Sequence, residues 1–320
     1  MKRRHLLAAL AITLPTLAAT RPVRIAWIAP IDAATQANYI AAFKDGMREL
    51  SRIEGRDYVL EVQYAEGHYE RFPAMIAAAL ARDSALIIVV TIASVRAAQS
   101  ATTSVPIVFV STNDPLGSGL VASLARPGGN TTGISNQAED VIVKYVEMLR
   151  EAVPNVRRLA VLQNPDNPSN RRMFDRVRAA AQTLGMSATA YEASTPEDIV
   201  PALQTMALQR PDALLVNSDA MIFQYRERIA AFALEHGTPT IGTSPETAYA
   251  GFLLAYGADR PEMYRRAASY VVKILNGAHP GDLPVEQPTR FKLAINLKTA
   301  RSLGVTIAPL LLLRADEVIQ

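Results

Sequence analysis

Six short stretches of this chain carry side chains suited to holding a small polar solute: residues 30–35, 91–94, 111–114, 164–167, 217–219 and 243–246. Thr91 and Ser94 follow the apolar run ALIIVV and open a helix, where hydroxyls, unpaired N–H groups and the helix dipole together can receive a carboxylate. The same two residues also read as the helix cap. Asp219 closes the run DALLVN, where it can pair with a ligand ammonium through a charge-assisted contact that strengthens as water is excluded. The competing role is N-cap of a helix beginning near Met221. Asn113, Asn164, Asn167 and Asn217 offer neutral amides that orient a ligand without adding charge, or serve only as loop residues, Asn-Pro being a turn former. Asp114 and Ser244 stand in the same strand-end loops, and Glu246 and Tyr256 stand near a later strand, with Tyr256 offering an aromatic face and a hydroxyl tip or simply packing.

Catalytic and metal chemistry find no comparable set. The first strand runs into APIDAATQA with no G-x-G-x-x-G, and Leu116-Gly117-Ser118-Gly119 lacks the spacing of a nucleophile elbow. His68, His236 and His279 lie far apart in loop or helix-end positions, and His5 belongs to the basic start of the N-terminal segment, so metal-ligand spacing is missing. The sequence therefore predicts no catalytic residues, no metal site and no cofactor.

Alternating elements position the six stretches. Short aliphatic runs (VRIAWIA, YVLEVQY, ALIIVV, PIVFV) alternate with helical periodicity over residues 33–52, 71–81 and 94–101, the pattern of a doubly wound α/β unit. Trp27, inside the first run, reads as core. ARPGGNTTG at residues 125–133 breaks the rhythm, its Gly128, Gly129 and Gly133 shaping either a hinge crossing or a plain turn. A second unit follows, with helices over 139–152, 169–184, 196–209 and 221–236 between RLAVLQ, SATAYEA, DALLVN and a short strand near Ile241. GFLLAYG, a helix over 260–275 and FKLAIN complete the sheets; with GFLLAYG returning to the first unit and FKLAIN entering the second, three crossings join two lobes. The expected division is 21–133 with 249–288 for the first lobe and 134–248 with 289–320 for the second.

Residues 1–20 have the basic n-region, short apolar h-region and small-residue end of a secretory signal. Lys2, Arg3 and Arg4 account for the whole formal +3, so the remainder has no basic excess to neutralise a nucleic acid backbone. The paired arginines leave the general and twin-arginine routes both open. With no cysteine in the chain there is neither a disulfide framework nor a lipid attachment point, so a freely diffusing periplasmic protein, released by cleavage and monomeric, is expected.

Three strings are specific in combination: NDPLGSGLVASLARPGGNTTGIS, LAVLQNPDNP and the block from AASYVVKILNG to LLLLRADEVI. They resemble the ABC transporter substrate-binding proteins, of the tryptophan-binding type, over nearly the whole chain after the signal. The resemblance implies a type I periplasmic-binding fold: two doubly wound parallel-sheet lobes, a three-crossing hinge and one small ligand enclosed by closure. It implies a small polar ligand, an amino acid or related carboxylate with an aromatic or branched side chain, and a permease of the inner membrane as partner. A sensory role beside a chemoreceptor or kinase is the alternative, and an α/β enzyme is disfavoured by the missing motifs. The helix-turn-helix of a repressor is displaced by the signal.

Overall fold

The aliphatic runs form parallel strands because they are buried on both faces by helices, which removes any need for alternating polarity. The computed structural model describes residues 21–320, so the segment read as an export signal lies outside the described residues. The first lobe comprises β1 (Val23–Ala29), α1 (Ala33–Glu49), β2 (Tyr58–Tyr64), α2 (Phe72–Leu80), β3 (Leu86–Val89), α3 (Ile92–Ala101), β4 (Ile107–Thr112) and β5 (Thr131–Ser135). Its sheet is parallel throughout, in the order β2-β1-β3-β4-β5.

The second lobe comprises α4 (Ile142–Ala152), β6 (Arg158–Gln163), α5 (Pro168–Thr183), β7 (Ser187–Glu192), α6 (Ile199–Leu208), β8 (Ala213–Val216), α7 (Ala220–Gln224), α8 (Arg226–Glu235), β9 (Thr240–Gly242), α9 (Glu246–Tyr249) and β10 (Leu254–Ala258). The chain then returns to the first lobe as α10 (Arg260–Leu275) and finishes in the second with β11 (Phe291–Asn296), α11 (Leu297–Ser302), α12 (Pro309–Leu313) and β12 (Glu317–Ile319). The second sheet runs β12-β11-β10-β9-β8-β6-β7, with β11 antiparallel to β10 and the other pairs parallel.

Four differences from the sequence reading are informative. The strand within GFLLAYG does not return to the first lobe: β10 pairs with β9 through Leu254 opposite Ile241, its Leu254 is fully buried in the second core, and the crossing comes after it. The segment ARPGGNTTG is only half turn. Gly128 and Gly129 take positive φ at the start of β5, whereas Gly133 lies inside that strand, where a Cβ would stand 2.0 Å from the Phe109 carbonyl oxygen. The first hinge crossing therefore begins after Ser135. The helix expected over 221–236 is two helices, α7 and α8, broken at Tyr225 (φ −94°, ψ 12°). The carboxyl-terminal β12 was not anticipated.

Trp27 is fully buried, edge-on to Phe43 at 5.3 Å and stacked on Tyr264 of α10 at 5.6 Å. Helix α10 is held against α1 at Gly46, where a Cβ would lie 2.3 Å from the Arg265 carbonyl oxygen. At the hinge, Asp259 caps α10 through the Glu262 N–H and pairs with Lys292 at 2.7 Å, tying the second crossing to the third. Burial opposes the charge on Asp259, but Lys292 and the Glu262 amide outweigh it and hold its carboxyl below the ordinary value.

Two predictions follow from this packing. Helix propensity alone favours alanine over glycine by about 1 kcal/mol, so a net loss of about 1–2 kcal/mol in Gly46→Ala, read by denaturant unfolding, isolates the α1–α10 overlap; a neutral or stabilised variant would show that the helices are free to separate. For Asp259, the lowered value means that its stabilisation is complete above the unfolded value near 3.8 and is lost as pH falls through the folded value. Asp259→Asn is expected to cost ~1 kcal/mol at pH 7, with the gap from the parent closing below pH 3.8; an undiminished gap at low pH would contradict the ionic role.

Candidate ligand-binding site

In a sheet of order 2-1-3-4-5, the loops leaving the first and third strands diverge and open a crevice at the strand carboxyl ends. Both lobes have this order, and both crevices face one another. Pro30 and Ile31 after β1, and Thr91 and Ile92 after β3, form the first-lobe side of a cavity. Asn167 after β6, and Ser218, Asp219 and Ala220 after β8, form the second-lobe side. The cavity lies between the lobes and is partly open to solvent.

Thr91 and Ser94 make a complete capping box at the start of α3. Thr91 Oγ1 accepts from the Ser94 N–H at 3.1 Å, and Ser94 Oγ accepts from the Thr91 N–H at 3.0 Å. Ser94 is fully buried and its hydroxyl also donates to the Thr91 carbonyl at 2.9 Å, so it is committed to the backbone. Thr91 reaches the cavity wall, with the first-turn N–H of Ile92 beside it lacking an intrahelical partner by position.

Asp219 has both of its anticipated environments. Its Oδ1 accepts from the Met221 and Ile222 N–H groups at 3.0 and 3.3 Å, capping α7, and from the Tyr69 hydroxyl of the first lobe at 3.2 Å. Its Oδ2 accepts from Asn167 Nδ2 at 3.0 Å and Asn164 Nδ2 at 3.3 Å. With only 5% exposure, burial pushes its carboxyl up from the ordinary range, against the opposing pull of the Asn167, Ile222, Tyr69 and Met221 donors. Tyr69 is held in turn by the Met221 N–H at 2.9 Å, and burial raises its phenol well above the usual value.

Asn113 lines the cavity and crosses the cleft, donating to Ser169 Oγ at 2.9 Å; Ser169 donates to Asn167 Oδ1 at 3.0 Å, which completes a polar chain back to Asp219. Asn164 and Asn217 lie beneath the wall, fully enclosed, and Asn217 Oδ1 has no donor among the described residues. Asp114 is at the cleft rim, where Arg172 of α5 joins it at 2.5 Å and Glu139 at 3.3 Å. Burial, with Asp114 nearby, raises the Glu139 carboxyl against the pull of Arg172 and Arg176.

Ser244, Glu246 and Tyr256 stand away from this wall. The Ser244 hydroxyl donates to Glu246, whose other oxygen accepts from Tyr39 of α1 at 3.2 Å, a contact between lobes. Tyr256 packs between Tyr145 and Phe291 on the second sheet, with Lys144 over its ring. Of the eleven anticipated residues, Thr91, Asn113, Asn167 and Asp219 share the cavity wall.

The sequence reading missed a whole face. Gln36 and Tyr39 of α1, Arg260 and Tyr264 of α10, and Phe223 of α7 line the cavity, joined by Asn136 and by Ser111 of the anticipated stretch 111–114. Tyr39 stacks on Tyr264 at 4.8 Å, and the Arg260 guanidinium lies 4.5 Å from the Phe223 ring centre. Tyr39 falls on the apolar face of α1, a pattern that does not by itself separate core from cavity wall, and Arg260 carries no local signal.

A family model described as ABC transporter substrate binding protein matches residues 24–319. The chain belongs to that family. Among relatives of this substrate-binding protein, a tyrosine-binding protein of Clostridioides difficile (strain R20291) is 24% identical over 263 residues, covering 82% of this chain and 75% of its own. A conserved domain protein of Vibrio cholerae is 25% identical with a TM-score of 0.86, covering 93% of this chain and 100% of its own. The ABC domain of Streptococcus pneumoniae in complex with L-Trp is 23% identical with a TM-score of 0.83, covering 92% of this chain and 100% of its own. The shared fold is the type I periplasmic-binding architecture.

The rim contact yields a test of closure. Arg172→Ala is expected to enlarge the radius of gyration of the ligand-free substrate-binding protein in small-angle X-ray scattering, because the tie between α5 and the Asp114 loop is gone. An unchanged radius would mean that this ion pair does not hold the lobes together.

Proposed function

We propose that this chain is an exported carrier that encloses an amino acid with an aromatic side chain between its lobes and presents the closed form to the permease of an ABC importer. The observation that carries the reading is the convergence of both switch-point crevices on one cavity, with Asp219 on one side and the aromatic face of Tyr39, Phe223 and Tyr264 on another. A zwitterion needs polar partners at one end and apolar surface at the other, and aromatic rings favour offset or edge-on packing against a ligand ring. The relatives named for tyrosine and for bound L-Trp support the same ligand class. The basic, then apolar, N-terminal segment supports export. The protein acts by binding and closure, as a monomer, without a chemical step.

A thermal-shift screen of the mature protein tests the ligand class. L-tyrosine or L-tryptophan at about 100 times its dissociation constant is expected to raise Tm by roughly 5 °C or more. A rise with sugars or purines, and none with any amino acid, would overturn the reading.

A further inference from the structure

Among the described residues, the cavity wall holds one carboxylate, Asp219, and one cation, Arg260. The two are not equivalent. Asp219 is matched by five hydrogen-bond donors, whereas no carboxylate among the described residues forms an ion pair with Arg260. Burial alone would push the Arg260 guanidinium down; Tyr39 and Glu246 outweigh it, and the group stays charged. Its flat face is occupied by the Phe223 ring, which fixes its plane, and its N–H edge faces the Tyr39 hydroxyl, a neutral acceptor that leaves the positive charge without an anionic partner.

Gln36 adds an independent observation. It is 1% exposed, lines the same cavity and lies beside the Tyr264 hydroxyl, yet its Nε2 has no acceptor in hydrogen-bonding geometry. A buried donor left unmatched costs about 1–3 kcal/mol, and of the unpartnered buried polar atoms among the described residues Gln36 Nε2 is the one whose side chain lines the cavity. Gln36 Nε2 and the Arg260 guanidinium are both donors, and both stand beside the Tyr39–Tyr264 stack. An unmatched amide donor beside a guanidinium that has no carboxylate partner calls for an anionic oxygen.

We infer that Arg260 and Gln36 bind the carboxylate of the ligand, which places the anionic end of the solute against α1 and α10 rather than at the start of α3. The capping box agrees, since Ser94 is spent on the backbone and Thr91 Oγ1 already accepts from an amide. The opposite placement of Asp219 gives the cavity one negative and one positive pole, the complement of an α-amino acid, and steers the carboxylate away from Asp219. This inference deepens the proposed function and rests on it for the identity of the solute.

The experiment pairs ligand truncation with residue truncation by calorimetric titration, using L-tyrosine and L-tryptophan against tyramine and tryptamine, which lack only the carboxylate. The parent protein is expected to bind the amino acids roughly 100-fold or more tightly than the amines. Arg260→Met should bring the amino acids down to about the level of the amines, with the amines themselves relieved of a like charge and so not weakened; Arg260→Lys should recover part of the amino-acid loss, and Gln36→Leu should show a smaller effect of the same pattern. A carboxylate preference that survives in Arg260→Met, or an equal loss for acids and amines in a variant with parental Tm, overturns the assignment. If no aromatic amino acid binds the parent, the proposed function fails on its own account. A thermal-shift panel of small carboxylic acids against their primary amides then decides the inference: stabilisation by acids, abolished in Arg260→Met, supports it, and stabilisation by uncharged solutes alone overturns it.

Discussion

The closed arrangement of this protein turns on one buried carboxylate. Asp219 is ionisable, almost wholly enclosed and placed where two lobes meet, so it is tolerated only if every acceptor site is matched. Its donors come from three places: the first turn of α7, the asparagines after β6, and Tyr69 from the other lobe. The same carboxylate thus caps a helix, holds the loop that opens α5 and is touched by the first lobe across the cleft. Cap and site are one feature, because the strand-end position that exposes a side chain to the crevice also precedes a helix.

That overlap sets how far the sequence could be read. The doubly wound architecture was legible because the aliphatic runs and the 3.6-residue stripes of α1, α5 and α10 have a single solution, parallel strands under helices. Strand membership was less so. An apolar run such as Leu254–Ala258 fits an interior position of either sheet, and only its register with Ile241 and Gly242 decides between them. The break at Tyr225 was invisible for a related reason: the apolar stripe continues through it, and the interruption is a matter of how α7 docks on the cavity.

Site residues divided along the same line. Thr91 and Asp219 announced themselves through cap chemistry at strand ends, and both reach the cavity. Gln36, Tyr39, Tyr264 and Arg260 come from the flanks of helices rather than from strand-end loops, and they meet because α1 and α10 are pressed together at Gly46. No pattern local to either helix encodes that meeting; it follows from a contact between residues more than two hundred positions apart. The stack of Trp27, Tyr264 and Tyr39 then makes this face rigid, fixed by core packing before any solute arrives. A preorganised wall spares the ligand the ordering cost that a flexible loop would add.

The second lobe brings little apolar surface to that wall. Its ties across the cleft are mostly polar: Asn113 to Ser169, Asp114 to Arg172, Tyr69 to Asp219, Asp32 to Gln224 and Tyr39 to Glu246. Each such contact replaces one made with water in the open form and is worth about 1 kcal/mol or less in net terms. Phe223 is the exception, a second-lobe ring buried in the first-lobe core beside Tyr264 and Trp27, and its enclosure contributes roughly 1.5–3 kcal/mol. Polar ties that nearly cancel leave the burial of this one aromatic ring as the largest single contribution to the contact between the lobes. A solute that contacts both walls closes the lobes by its difference in affinity for the two forms. A drier, more apolar cleft would shut without its ligand, and one lacking Phe223 would close only at greater cost to the affinity.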